Sequence, residues 1–134
     1  MTHRPTRLIL SPIFQEGRRR ALWRLEFPYW RWLLFYGLHV PYFVPAGFVC
    51  DLASIPWFLR WLYPVDGPWA GAAVVHDHMY TQHDIGRGIA DFIFWQLMRQ
   101  DGVPVIRAAV FYAAVRTFGG PARKRALKKS SANF

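Results

Sequence analysis

Cysteine is almost missing from this chain: Cys50 is the one thiol in 134 residues. An intramolecular disulfide framework is therefore excluded, and stability has to come from packing, with or without a bound metal. A lone cysteine beside an apolar run reads as a small buried hydrophobe before it reads as a nucleophile. Acid is missing from the C-terminal end. Residues 119–134 hold five Lys or Arg and no Asp or Glu, and residues 1–31 hold seven Arg against two Glu. All six Asp lie in residues 32–118, against five Arg. The net charge of +9 thus sits at the two ends. Such ends suit an anionic partner (nucleic acid, an envelope surface or an acidic protein), although cationic termini also serve solubility alone. A secretory leader is not expected, because the first apolar run is short and no small-residue cleavage site follows it. An integral membrane span is not expected either. Trp32–Cys50 is a 19-residue stretch free of Asp, Glu, Lys and Arg, but Gly37, Pro41, Pro45 and Gly47 interrupt it.

What is abundant is apolar surface. Hydrophobic residues make up 53% of the chain and aromatics 18%, with 7 Trp and 11 Phe, which suits a packed core and argues against disorder. No internal repeat is visible. The length suits one domain over residues 1–120, followed by a basic tail over 121–134 with too little apolar content to pack. The first half reads as strand and loop. Arg7–Phe14, Ala21–Phe27, Leu38–Phe43 and Gly47–Cys50 are extended segments, with a turn at Gly37 and breaks at Pro41 and Pro45. The second half reads as helix. Ser54 caps a short helix to Leu62, Pro64–Gly67 turns, and longer helices follow over Trp69–Thr81, Arg87–Gln100 and Pro104–Phe118. Asp101-Gly102 and Gly119-Gly120 supply the last two stops. The expected class is α+β: a small antiparallel sheet in the N-terminal half packed against three to four helices.

Polar residues interrupt this apolar pattern at a few places. They are Asp51 in GFVCDLASIP, His76, Asp77 and Tyr80 in HDHMY, His83-Asp84, and Arg87 with Asp91 in RGIAD. His76 and Tyr80 are spaced i,i+4 on one helix face, with Asp77 one position round. Arg87 and Asp91 have the same spacing on the next helix. A short connection makes the two helices antiparallel neighbours, so Asp91 is expected within hydrogen-bonding or single-water distance of His76 or Tyr80. Each residue also has a structural explanation. Asp51 and Ser54 can cap the helix that follows, Arg87–Asp91 can be an exposed pair, and His76 and Tyr80 can be core side chains with satisfied polar atoms. Taken together those explanations weaken, because a small core gains little from burying a histidine, a tyrosine and several carboxylates in one place. The aromatic run Pro28–Tyr36 either fills the core or supplies a partner surface.

The runs VPAGFVCDLASIP, AAVVHDHMY, RGIADFIFWQLM and AAVFYAAVRTFGG, in that order, resemble the phage and prophage proteins of domain-of-unknown-function family 1353. The likeness covers about residues 40–120. One departure is Cys50, where that family usually has threonine. The resemblance implies a phage or prophage origin, other phage proteins as partners, and a place in the virion or the host cytoplasm. It implies no established activity.

A narrower likeness concerns chemistry. An HDxxY helix with a further aspartate on a neighbouring helix is similar to the active site of secreted phospholipases A2. That likeness implies His76 as the general base, Tyr80 and Asp91 as the residues that hold it, and Asp77 as a cation ligand. The paired cysteines and glycine-rich calcium loop of those enzymes are absent here, so Asp51 is the expected second ligand for calcium or zinc. A zinc-peptidase reading of His83–Asp91 fails, because no histidine follows His83 to complete three ligands. Two functional classes stay open. One is a metal-assisted hydrolase acting on cell-envelope material, with His76, Tyr80 and Asp91 catalytic and Asp77 and Asp51 on the metal. The other is a virion or tail structural or interaction protein in which the same residues form a structural network.

Overall fold

Residues 29–35 alternate strictly between inward and outward positions. Tyr29, Arg31 and Leu33 are buried while Trp30 and Leu34 are exposed, the period-two pattern of a strand. In the computed structural model of the chain, which describes residues 7–14, 16, 22–50 and 68–132, this strand belongs to the first of two compact units, Met1–Asp51 and Leu52–Phe134. Asp51, the helix expected over Ser54–Leu62 and the turn at Pro64–Gly67 lie outside the described residues.

The first unit holds five described strands: β1 (Leu10–Ile13), β2 (Leu22–Leu25), β3 (Tyr29–Phe35), β4 (Leu38–Val44) and β5 (Val49–Cys50). Strands β1, β2 and β5 form one antiparallel sheet in that order, and β3 pairs with β4 in a hairpin. The hairpin turn carries positive φ at both central residues, Tyr36 at 49° and Gly37 at 79°. That geometry matches the right-handed twist of the flanking strands, and glycine adopts it without a steric penalty. Pro41 does not break β4 as expected. It sits opposite Trp32 in a two-stranded ribbon, where a missing N–H on the outer edge costs no ladder bond. Cys50 is buried, with its sulfur 3.7 Å from the Trp23 carbonyl, as a packed small hydrophobe is.

The second unit holds three described helices: α1 (Ala70–Tyr80), α2 (Arg87–Gln100) and α3 (Val105–Ala132). Helix α1 is buried almost all round. Its small residues Ala70, Gly71, Ala72 and Ala73 let neighbouring elements approach closely. Helix α2 buries the stripe Ala90, Asp91, Ile93, Phe94, Leu97 and Met98, at the spacing expected of one helix face. It ends where Asp101-Gly102 predicts. Gly102 takes φ 87°, its N–H bonds the Arg99 carbonyl at 3.3 Å, and the Val103 N–H bonds the Met98 carbonyl at 3.0 Å. This is a Schellman close, with Met98 and Val103 both buried beneath it. Trp69 stacks on Phe111 of α3 at 5.5 Å. Thus the fold is α+β, with small antiparallel sheets in the N-terminal half and helices after them.

One boundary differs from expectation. The last helix does not stop at Gly119-Gly120 but runs on through Pro121 to Ala132. Tertiary contacts override the local stop signals. Arg87 donates to the Val115 and Arg116 carbonyls at 3.0 and 3.2 Å, just before the bend-prone Gly-Gly-Pro step. Beyond that step, Arg123 donates to the Met79 and Gln82 carbonyls at 3.1 and 3.0 Å and also to that of Ile85. Those carbonyls close α1 and the turn that follows it, so one guanidinium caps α1 and ties α3 to it.

Candidate functional site

A buried carboxylate organises the helical unit. Asp91 falls in the middle of the apolar stripe of α2 and is 0% exposed. An unpaired charge there would cost several kcal/mol, on the order of the desolvation penalty for a buried ion. It is not unpaired. Asp91 Oδ1 lies 2.7 Å from His76 Nε2 and accepts the Tyr80 hydroxyl at 2.5 Å, both from α1. Its Oδ2 accepts Arg116 Nη1 from α3 at 2.9 Å, and Arg87 Nη1 stands 3.8 Å away. Three helices therefore converge on one carboxyl group.

The i,i+4 spacing of His76 and Tyr80 does what the sequence implies: both side chains leave α1 on the same side and meet the same oxygen. Their ring centres lie 4.2 Å apart, and the Phe94 ring centre lies 4.8 Å from that of the imidazole. An ionised carboxylate only accepts hydrogen bonds, so His76 Nε2 carries the hydrogen. The titrating nitrogen is then Nδ1, which lies 3.9 Å from Asp77 Oδ1. Asp77 is the more exposed of that pair, at 11% against 1% for His76.

Burial and hydrogen bonding compete at each group. Burial by itself lowers the His76 pKa, but the carboxylates of Asp77 and Asp91 outweigh it and hold the value above 6.5. Burial by itself raises the Asp91 pKa. The hydrogen bonds from His76 and Tyr80, the charge of His76 and the hydrogen bond from Arg116 reverse that and keep the carboxyl below its ordinary value. Burial pushes the Tyr80 hydroxyl up, and its bond to Asp91 pushes it further, so it remains a neutral donor. The result is a locked ionic state: Asp91 ionised, Tyr80 protonated, and the His76 ring held through Nε2 by Asp91.

Of the expected site residues, His76, Tyr80 and Asp91 come together directly, and Asp77 stands beside them. Asp51 lies outside the described residues. His83 is not part of the cluster, since its Nε2 pairs with Ser131 Oγ at 3.0 Å near the end of α3. Among the described residues no group of three or more His, Cys, Asp or Glu side chains is placed to hold a metal ion.

Three contributors escape a reading of the HDxxY and AD motifs. Arg116 supplies the cation on Asp91 Oδ2. Arg123 places its guanidinium 5.7 Å from the Tyr80 ring centre. Gly119 is buried, and glycine is needed there because a Cβ would stand 2.6 Å from the Tyr80 hydroxyl and 3.3 Å from Arg87 Nη1. The seven-residue spacing of Arg116 and Arg123, which puts both on one face of a helix continued past Gly119, is the signal that marks them.

The chain matches the family model described as "Protein of unknown function (DUF1353)" over residues 30–115. It belongs to that family. The matched region of this DUF1353 protein takes in His76, Asp77, Tyr80, Arg87 and Asp91 and stops one residue before Arg116. No curated protein and no solved structure matches the chain. Among the described residues of the DUF1353 protein, no helix is long and apolar enough to cross a membrane.

Proposed function

We propose that this chain is a hydrolase of phage or prophage origin acting on cell-envelope material, with His76 as its general base. The observation that carries the reading is the division of labour on the imidazole: Nε2 is fixed by a fully buried carboxylate, which leaves Nδ1 to titrate. In the reaction Nδ1 takes a proton from water, and the water oxygen bonds to a carbonyl or phosphoryl centre. The imidazolium is stabilised by Asp91, and its proton then passes to the departing oxygen or nitrogen as that bond breaks. Tyr80 and Arg116 hold Asp91 in place and have no contact with the reacting atoms. Calcium or zinc held by Asp77 with Asp51 would polarise the attacked carbonyl or phosphoryl oxygen. Asp77 as a ligand has a separate test: a rise in melting temperature with either metal at millimolar concentration, abolished by Asp77→Asn. The proposed setting is the virion or the host cytoplasm, with other phage proteins and an anionic surface as partners of the basic ends.

A second reading is favoured by a specific observation. His76 is 1% exposed, and among the described residues no buried side-chain polar atom lacks a partner. A virion or tail component would use such a satisfied network to fix one packing of three helices. Incubation of the purified chain with phospholipid and with peptidoglycan fragments separates the two. The hydrolase reading predicts product release that His76→Asn removes while the circular dichroism spectrum is retained. Absence of turnover on both substrate classes, with His76→Asn acting on stability alone, puts the structural reading in its place.

A further inference from the structure

The last acidic residue in the chain is Asp101, and α3 therefore carries seven Lys or Arg with no Asp or Glu on the same helix. Two of these cations are consumed inside the protein: Arg116 on Asp91, and Arg123 on the carbonyls that close α1. The C-terminal third of the helix divides sharply. Ala122 is buried and Ala126, Leu127 and Ser130 are half-buried, whereas Lys124, Arg125, Lys128 and Lys129 are exposed. The four exposed cations form two adjacent i,i+4 rows, Lys124–Lys128 and Arg125–Lys129, with about 6 Å between successive side chains in a row. Arg123 anchors this segment at its start, so the rows stand on a helix tied to the body of the unit.

What such a face fits is decided by what it lacks. A protein interface needs an apolar or aromatic centre within a polar rim, and no such residue stands among these four cations. A helix that lies in a bilayer needs a broad apolar face opposite its charges. Here the opposite face is packed against the protein. Among the described residues, the large exposed apolar side chain nearest along this helix is Phe118, a single ring, and Val110 lies about 21 Å back along the axis from Lys124. A uniform, closely spaced cationic ridge suits a polymer of closely spaced phosphates, whose condensed counterions are released on contact. We propose that the C-terminal segment of α3 is a nucleic-acid docking surface that binds the phosphate backbone of a duplex without reading its sequence. This inference does not depend on the hydrolase reading.

Fluorescence anisotropy of the full chain with a labelled 20-base-pair duplex of arbitrary sequence tests it, with salt titrated from 50 to 200 mM. Four phosphate contacts predict a slope of about −3.6 in log affinity against log salt, or about 150-fold weakening over that range. Joint substitution Lys124→Gln, Arg125→Gln, Lys128→Gln and Lys129→Gln retains good helix formers, so its thermal melt should stay that of the parent while duplex binding falls and the slope flattens. Two changes of duplex sequence should leave the affinity of the parent unchanged within twofold. The proposal is overturned by no duplex binding at 50 mM salt, or by equal affinity in the folded quadruple variant. It is overturned equally if phosphatidylglycerol vesicles or polyglutamate are bound more tightly than the duplex, which would identify a bilayer or an acidic protein as the occupant.

Discussion

The hydroxyl of Tyr80 occupies the space that a side chain at position 119 would need: a Cβ on Gly119 would lie 2.6 Å from it. Glycine in a helix interior ordinarily costs about 1 kcal/mol relative to alanine, so Gly→Ala should stabilise. At Gly119 the sign reverses. Gly119→Ala is expected to destabilise by about 1–3 kcal/mol through overpacking, whereas Gly88→Ala in α2, whose Cβ would meet only Arg116 Nη1 at an ordinary 3.8 Å, should gain up to about 1 kcal/mol. Urea melts of both variants check the pair. Tyr80→Phe, which removes the hydroxyl, should relieve much of the Gly119→Ala cost in the double variant.

Arg123 provides a second test, this time of the end of the chain. Its guanidinium donates to three backbone carbonyls at the close of α1 and in the turn after it. Deletion of residues 121–134 should therefore lower the melting temperature by several degrees, and Arg123→Met should reproduce most of that loss, about 2 kcal/mol for charge-assisted bonds of this kind. Hydrogen exchange adds a local readout. Amides of residues 124–132 should exchange faster in Arg123→Met than in the parent, while those of α2 keep their protection.

The parts of this protein that are legible in the sequence are those where one local rule decides. The stripe of α2 and its Asp101-Gly102 stop give Arg87–Gln100 residue for residue. Spacing alone brings His76 and Tyr80 to one face, and a short connection brings Asp91 to them. Elsewhere rules conflict or fall silent. Tyr29–Phe35 is apolar or aromatic at every position but Arg31, so its period of two cannot be seen until burial separates Tyr29, Arg31 and Leu33 from their neighbours. Gly119-Gly120-Pro121 reads as a helix stop by local chemistry. The helix continues because Tyr80 requires a missing Cβ at 119 and because Arg87 and Arg123 hold the backbone on either side. Arg116 lies far from Asp91 along the chain, and only the packing of α3 on α2 reveals it as the ion's partner.

The pH dependence of stability follows from the shifts at His76 and Asp91. His76 is raised in the fold, so its contribution is complete below 6.5 and is lost as pH rises through the elevated value. Asp91 is lowered, so its contribution is complete above 3.8 and is lost as pH falls through the depressed value. Urea melts should therefore show a plateau between about 3.8 and 6.5 with a decline on either side. His76→Gln should remove the alkaline decline, and Asp91→Asn should lower stability throughout by about 3–5 kcal/mol, because it leaves His76 and Arg116 without their counter-ion.

The central claim is that Asp91 fixes His76 through Nε2 and leaves Nδ1 as the exchanging nitrogen. Nitrogen-15 NMR of the histidine rings in the intact chain, followed from pH 5 to 9, tests this directly. The account predicts that the neutral His76 ring is the Nε2–H form, that its Nδ1 signal titrates at a pKa above 6.5, and that Asp91→Asn moves that titration downward. A neutral ring protonated at Nδ1, or a His76 titration unchanged by Asp91→Asn, would contradict it.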